Sequence, residues 1–194
     1  MAGGPSTPAL AAAVSNAGGL GFLAAGYKSP DDPCADITKT RELTSAPVGV
    51  NLFFLAETPV DPARLASFAN TIEPEARRHN VTLGEPCFDD DALDAKLEIV
   101  CHERPPITSF TFGCPSTEVI QRLHERDIAV WVTVTEVDEA LLAAGAGADA
   151  LIVQGVEAGG HRGSFADTDF RYGPTRTRPA RTRTWDQRIM SPLL

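Results

Sequence analysis

The residues best equipped for chemistry lie at positions 154–163, QGVEAGGHRG. His161 is the one side chain there that titrates near neutrality, so it can move a proton or, when protonated, hold an anion. Gln154 offers amide donors and an acceptor. Gly155, Gly159 and Gly160 let the backbone come close to a ligand because they carry no Cβ. The segment follows an apolar run, residues 148–153, that reads as a buried parallel strand. A polar, glycine-rich turn at the C-terminal end of such a strand is where α/β folds place their sites. The same residues also suit a plain connecting loop with a solvated histidine, and composition alone does not separate the two. Asn51 is a second candidate, a carboxamide inside the apolar run 47–54, PVGVNLFF. It suits either a ligand contact or a turn that satisfies its own backbone.

The elements that must position these residues follow from caps and periodicity. Ser6 or Thr7 can cap a helix that has Pro8 at its first position and ends at Gly18 and Gly19. Residues 20–25 read as a short strand, 29–45 as a loop with one short helix, and 47–54 as a second strand. Helices are expected at 61–78, begun by Asp61 and Pro62, and at 90–102, with Leu93, Leu97 and Val100 on one face. The charges on both are read as solvated faces. Residues 107–113 return to strand, 117–126 to helix, 128–135 to strand and 137–144 to helix, ended by Gly145 and Gly147. The strand 148–153 then leads into the glycine–histidine turn. Strands alternating with helices at this spacing imply βαβ units and a parallel sheet, either doubly wound or a barrel. Gly19, Gly21 and Ala24 match a G-x-G-x-x-A dinucleotide fingerprint in spacing alone. That motif must follow a strand and open a helix, whereas this one closes a helix and enters a strand, so it is rejected.

Bulk properties narrow the function classes. The chain has 194 residues, 43% of them hydrophobic and 22% charged, which is enough for one sizeable core. A formal net charge of -9 gives nucleic-acid binding no electrostatic support. No 18-residue apolar run and no basic-then-apolar N-terminus appear, so neither a membrane span nor a secretory signal is expected and a cytoplasmic location follows. Cys34, Cys87, Cys101 and Cys114 lack C-x-x-C spacing, which argues for free thiols and against a metal site. After Phe165 the composition changes, with six arginines and three aspartates among proline and threonine and no apolar period. Residues 1–165 therefore read as the folded domain and 166–194 as a disordered tail, foreign to the fold and attributable to a shifted reading frame or a mis-assembled gene.

Taken together, MAGGPSTPALAAAVSNAGGLGFLAAGY, PVGVNLF, TFGCPS and VTVTEVDEALLAAGAGADALIVQG, ending in the glycine–histidine turn, resemble the nitronate monooxygenase family, formerly 2-nitropropane dioxygenases, over residues 1–165. The resemblance implies a TIM barrel that binds FMN and oxidises alkyl nitronates such as propionate 3-nitronate with O2. It implies FMN contacts from Asn51, Gln154, Gly159 and Gly160, with the backbone of Met1, Ala2 and Gly3 near the isoalloxazine ring, and His161 as the catalytic residue close to flavin N5. Its partners would be a small nitronate or nitroalkane and O2. FMN-dependent enoyl-acyl-carrier-protein reductases share a similar Gly-Gly-His turn, so an NAD(P)H-dependent flavin reductase on the same fold is an alternative. So is an inactive barrel fragment. A full barrel has eight strands, and the pattern here supplies the tip of the first and complete strands two to six. Strands seven and eight, whose loops usually grip phosphate, have no apolar run to build them. Weak FMN retention or none, and an exposed, aggregation-prone edge at 148–153, are therefore expected.

Overall fold

In the computed structural model, residues 5–57, 59–155, 157–158 and 160–166 are described. Met1, Ala2, Gly3, Gly159 and nearly all of the 166–194 tail lie outside them. The chain begins with α1 (Pro8–Asn16), where Thr7 Oγ1 accepts a hydrogen bond from Leu10 N and Pro8 supplies a preset φ. Gly18, with φ +87°, turns the chain beyond the helix end. Then follow β1 (Gly21–Ala24), α2 (Asp31–Leu43), β2 (Val48–Phe53), α3 (Pro62–Arg78), α4 (Leu93–Glu103), β3 (Ile107–Thr111), α5 (Thr117–His124), β4 (Ala129–Val134), α6 (Val137–Ala146) and β5 (Ala150–Val153). Asp61 and Ser116 cap α3 and α5 with their side chains, and Gly147 at φ +106° ends α6.

All four strand pairings are parallel, and the spatial order β1-β2-β3-β4-β5 is the order in the chain. A doubly wound sheet would reverse its order at a switch point. Because crossovers are right-handed, an order that never reverses puts every crossover on the same face. The sheet is therefore a wall of a barrel, and the two architectures left open by the sequence are separated. Along each strand, alternate residues face alternate sides. Leu23, Val50, Leu52, Phe110, Val130, Val132 and Val134 meet Ile37, Leu97, Val100, Ile120 and Leu123 in one buried core between sheet and helices. The opposite face carries Phe22, Asn51, Phe53, Ser109, Thr111, Trp131, Thr133 and Ile152, and it is open.

Three expectations are corrected. Residues 29–45 hold not a short helix but the 13-residue α2, which has Asp31 and Asp32 at its positive end and buries Pro33, Ile37 and Thr40. The run 148–153 pairs only as Ala150–Val153 and is half-buried, with Val153 56% exposed. Among the described residues it bonds to β4 on one side and lies at the sheet edge, so its second hydrogen-bonding edge is open. The charges of α4 are not all solvated, because the Lys96 side chain is 1% exposed and its Nζ stands 2.8 Å from Asp91 Oδ2.

Candidate functional site

The open face of the sheet floors a cavity of about 830 Å3 at the C-terminal ends of the strands. Phe22, Tyr27, Phe53, Phe112 and Trp131 form its aromatic walls, and Asn51, Ser109, Thr111, Thr133 and Gln154 its polar floor. His161 and Gly160 stand at its edge. Three of the predicted residues, Asn51, Gln154 and Gly160, thus converge with the histidine although 110 positions separate Asn51 from His161.

Sheet register explains the floor. Ala24, Asn51, Ser109, Trp131 and Ala150 stand side by side on neighbouring strands. Asn51 is 5% exposed. Its Nδ2 donates to Ser109 Oγ at 2.9 Å, to Thr111 Oγ1 at 3.0 Å and to the Ser109 carbonyl at 3.3 Å. Thr111 Oγ1 is 3.3 Å from Thr133 Oγ1, which extends the row. Asn51 Oδ1 has no partner among the described residues. A buried amide oxygen left bare is costly, and this one stands at the cavity floor, within reach of a donor that enters it.

The turn after β5 is held by side chains. Gln154 spends both ends of its amide on it, Nε2 donating to the His161 carbonyl at 3.2 Å and Oε1 accepting from Gly163 N at 2.7 Å. In this arrangement Gln154 shapes the turn while it lines the cavity. Glu139, in the first turn of α6, accepts from Thr135 N at 2.6 Å, Thr135 Oγ1 at 3.0 Å and Phe165 N at 2.8 Å. Gly160 sits at φ +83°, a region that L side chains rarely adopt. The His161 imidazole is exposed and stands edge-on to Phe112, with ring centroids 6.3 Å apart. Phe112 continues to Phe53 at 4.9 Å and Phe53 to Tyr27 at 5.2 Å. No group of three or more His, Cys, Asp or Glu with metal-binding spacing occurs among the described residues.

Sequence reasoning missed the aromatic wall and the Ser109, Thr111, Thr133 row. A signal was present in ITSFTFG, where Ser109 and Thr111 place hydroxyls two apart on one strand face. Glu139 was missed because its partners come from separate turns. A smaller cavity of about 360 Å3 lies between α2 and the starts of β2 and β3, far from His161 in the fold.

Residues 1–178 match the family model for nitronate monooxygenase, so the match runs past Phe165. A probable nitronate monooxygenase of Staphylococcus saprophyticus is 40% identical over 174 residues, 88% of this chain and 48% of that protein. The nitronate monooxygenase of Pseudomonas aeruginosa is 42% identical over 171 residues, 84% of this chain and 47% of its own length. Among solved structures, the nitroalkane oxidase of Streptomyces ansochromogenes superposes with a TM-score of 0.82 at 45% identity, covering 87% of this chain and 48% of that one. FabK from Thermotoga maritima superposes with a TM-score of 0.58 at 31% identity, over 82% of this chain and 40% of that one. The chain spans about half the length of the curated relatives it matches.

Proposed function

Since the chain belongs to the nitronate monooxygenase family, we propose that the cavity over the parallel sheet is an FMN site at which alkyl nitronates or nitroalkanes are oxidised by O2. The observation that carries the reading is Asn51: it lines the cavity that His161 overlooks and leaves a buried oxygen without a donor. The pyrimidine edge of a flavin supplies an N–H of that kind, and the aromatic walls suit a flat ring. FMN would be held at its ring end by Asn51, by the Ser109–Thr111–Thr133 hydroxyl row and by the backbone at Gly160. Met1, Ala2, Gly3 and Gly159 remain proposed contacts by family likeness. When bound, FMN supplies the redox chemistry, taking electrons from the substrate and passing them to O2.

His161 does the polar work. For a neutral nitroalkane it takes the proton α to the nitro group, and for a nitronate, which arrives deprotonated, the protonated ring holds the anion. Gln154 and Glu139 keep the turn that carries it over the cavity. A flavin reductase on the same fold is the second reading. The superposition on FabK is looser than that on the nitroalkane oxidase, which favours the first.

The test is the visible absorbance of the chain after incubation with FMN and desalting, followed by turnover of propionate 3-nitronate. Retained flavin, lost in Asn51→Leu, and turnover that falls at least a hundredfold in His161→Ala would support the reading. Flavin retained equally by both proteins, with turnover untouched by His161→Ala, would sink it.

A further inference from the structure

Tyr27 stands on the cavity rim in a conformation that calls for explanation. Its φ is +60°, and a bulky side chain persists there only when its surroundings hold it. Its ring is exposed, lines the cavity and stands edge-on to Phe53, with centroids 5.2 Å apart and planes at 80°. Gly26 lets the loop approach, since a Cβ there would lie 2.4 Å from the Phe53 ring.

The remaining restraint comes from 64 residues away. Asp91 Oδ1 accepts the Tyr27 N–H at 2.9 Å. Its other oxygen, Oδ2, lies 2.8 Å from Lys96 Nζ, and both side chains are buried, at 8% and 1% exposure. The two atoms meet as charges more than as a well-aligned hydrogen bond, and neither has another partner among the described residues. A buried ammonium without a counter-charge is strongly disfavoured, so Lys96 on α4 dictates where the Asp91 carboxylate must sit. Asp91 and Ala92 are themselves left-handed, at φ +59° and +51°. Asp89 and Asp90 receive their N–H groups at 2.8 and 2.9 Å. The 89–92 turn is thus wound to present one carboxylate to both Lys96 and the loop after β1.

We infer that Tyr27 is a ligand-contacting wall that limits which substrates enter the cavity, and that the buried Asp91–Lys96 pair positions it. The second half needs only the fold, whereas the first rests on the flavin reading given under Proposed function. Through Phe53 and Phe112 the same ring stack reaches His161, so the rim and the proton-handling residue share one support.

Two measurements on the full chain test this. Limited trypsin digestion without cofactor, followed by mass spectrometry, reports cleavage after Lys28, the residue next to Tyr27. Asp91→Ala should raise that rate about tenfold by freeing the Tyr27 N–H, whereas the double change Asp91→Asn, Lys96→Met should leave it near the starting value, because a carbonyl acceptor remains at position 91 and no charge is orphaned. Equal rates in Asp91→Ala and the unaltered chain, or release in the double variant as large as in Asp91→Ala, would overturn the positioning role. On FMN-loaded chains brought to equal flavin occupancy, calorimetric titration with propionate 3-nitronate should show Kd raised about tenfold in Tyr27→Ala. An unchanged Kd, or no nitronate binding by the unaltered chain, would overturn the contact role. Failure of the unaltered chain to retain FMN at all would instead overturn the flavin reading, and the Lys28 cleavage result would stand by itself.

Discussion

Replacing Glu139 with glutamine should loosen the turn that carries His161 while sparing the rest of the fold. The carboxylate accepts on both oxygens: Thr135 N and Oγ1 on Oε2, and Phe165 N on Oε1. A glutamine has one acceptor oxygen, so it must turn an NH2 toward either Thr135 or Phe165 and set donor against donor. A hydrogen bond to a charged group contributes about 1.5–3 kcal/mol, and the partly exposed position of Glu139 reduces this to about 1–2 kcal/mol. That corresponds to about a fivefold to thirtyfold rise in the open population of the 160–166 segment. Arg162 lies in the segment, and trypsin cleavage after it follows the open population when reclosing is fast. The assay is the initial rate of that cut, read by mass spectrometry, for Glu139→Gln and for Asp138→Asn as a control in the same helical turn. Asp138→Asn should behave as the unaltered chain. A Glu139→Gln rate within about twofold of the unaltered chain would refute the reasoning, because the three bonds would then contribute nothing to holding the turn.

Further outcomes follow from other contacts. Gly21→Ala would drive a Cβ to 2.0 Å from the Ala11 carbonyl oxygen, backbone against backbone between α1 and β1. It should cost about 3 kcal/mol or more, read as a lower urea midpoint at unchanged slope. Burial pushes the Glu103 carboxyl up, but hydrogen bonds from His102 and Arg41 outweigh it and hold the group below its ordinary value. A depressed carboxyl contributes stability above its unfolded value and loses it as pH falls through the folded one. The stability gap between the unaltered chain and Glu103→Gln should therefore be largest at neutral pH and close in acid, as urea titrations at both would show; a constant gap would contradict the pairing. Burial raises the Cys114 thiol, Cys101 is buried and Cys87 is exposed. Iodoacetamide at neutral pH should thus label Cys87 before Cys114 and Cys101, and early labelling of Cys101 would mean that α4 does not pack as described.

Much of the fold could be read from caps and periods. Thr7 with Pro8, Asp61 with Pro62 and Gly147 mark helix ends by local chemistry, which needs no knowledge of the rest of the chain. Asn51 stood out because a carboxamide in an apolar strand must be satisfied somewhere, and His161 because glycines surround it. Lys96 did not stand out, although its spacing from Leu93 and Val100 put it on the buried face of α4. A helical period shows which side of a helix faces inward, but it cannot name the carboxylate waiting there. Burial of the 148–153 run was overestimated for a related reason, since apolar character shows what a strand can bury and only its neighbours decide what it does.

The alternation of strands and helices, the capped helix starts and the glycine–histidine turn are local properties, encoded in neighbouring residues through backbone propensity and period. The order of the strands is not local. It emerged only when parallel pairing set β1 to β5 side by side, put every crossover on one face and left the other face to form the cavity. The same pairing brought Asn51 beside Ser109 and Thr111 and left its oxygen bare. The fold likewise set Asp91 against both Tyr27 and Lys96, contacts spanning up to 64 residues that no local pattern encodes.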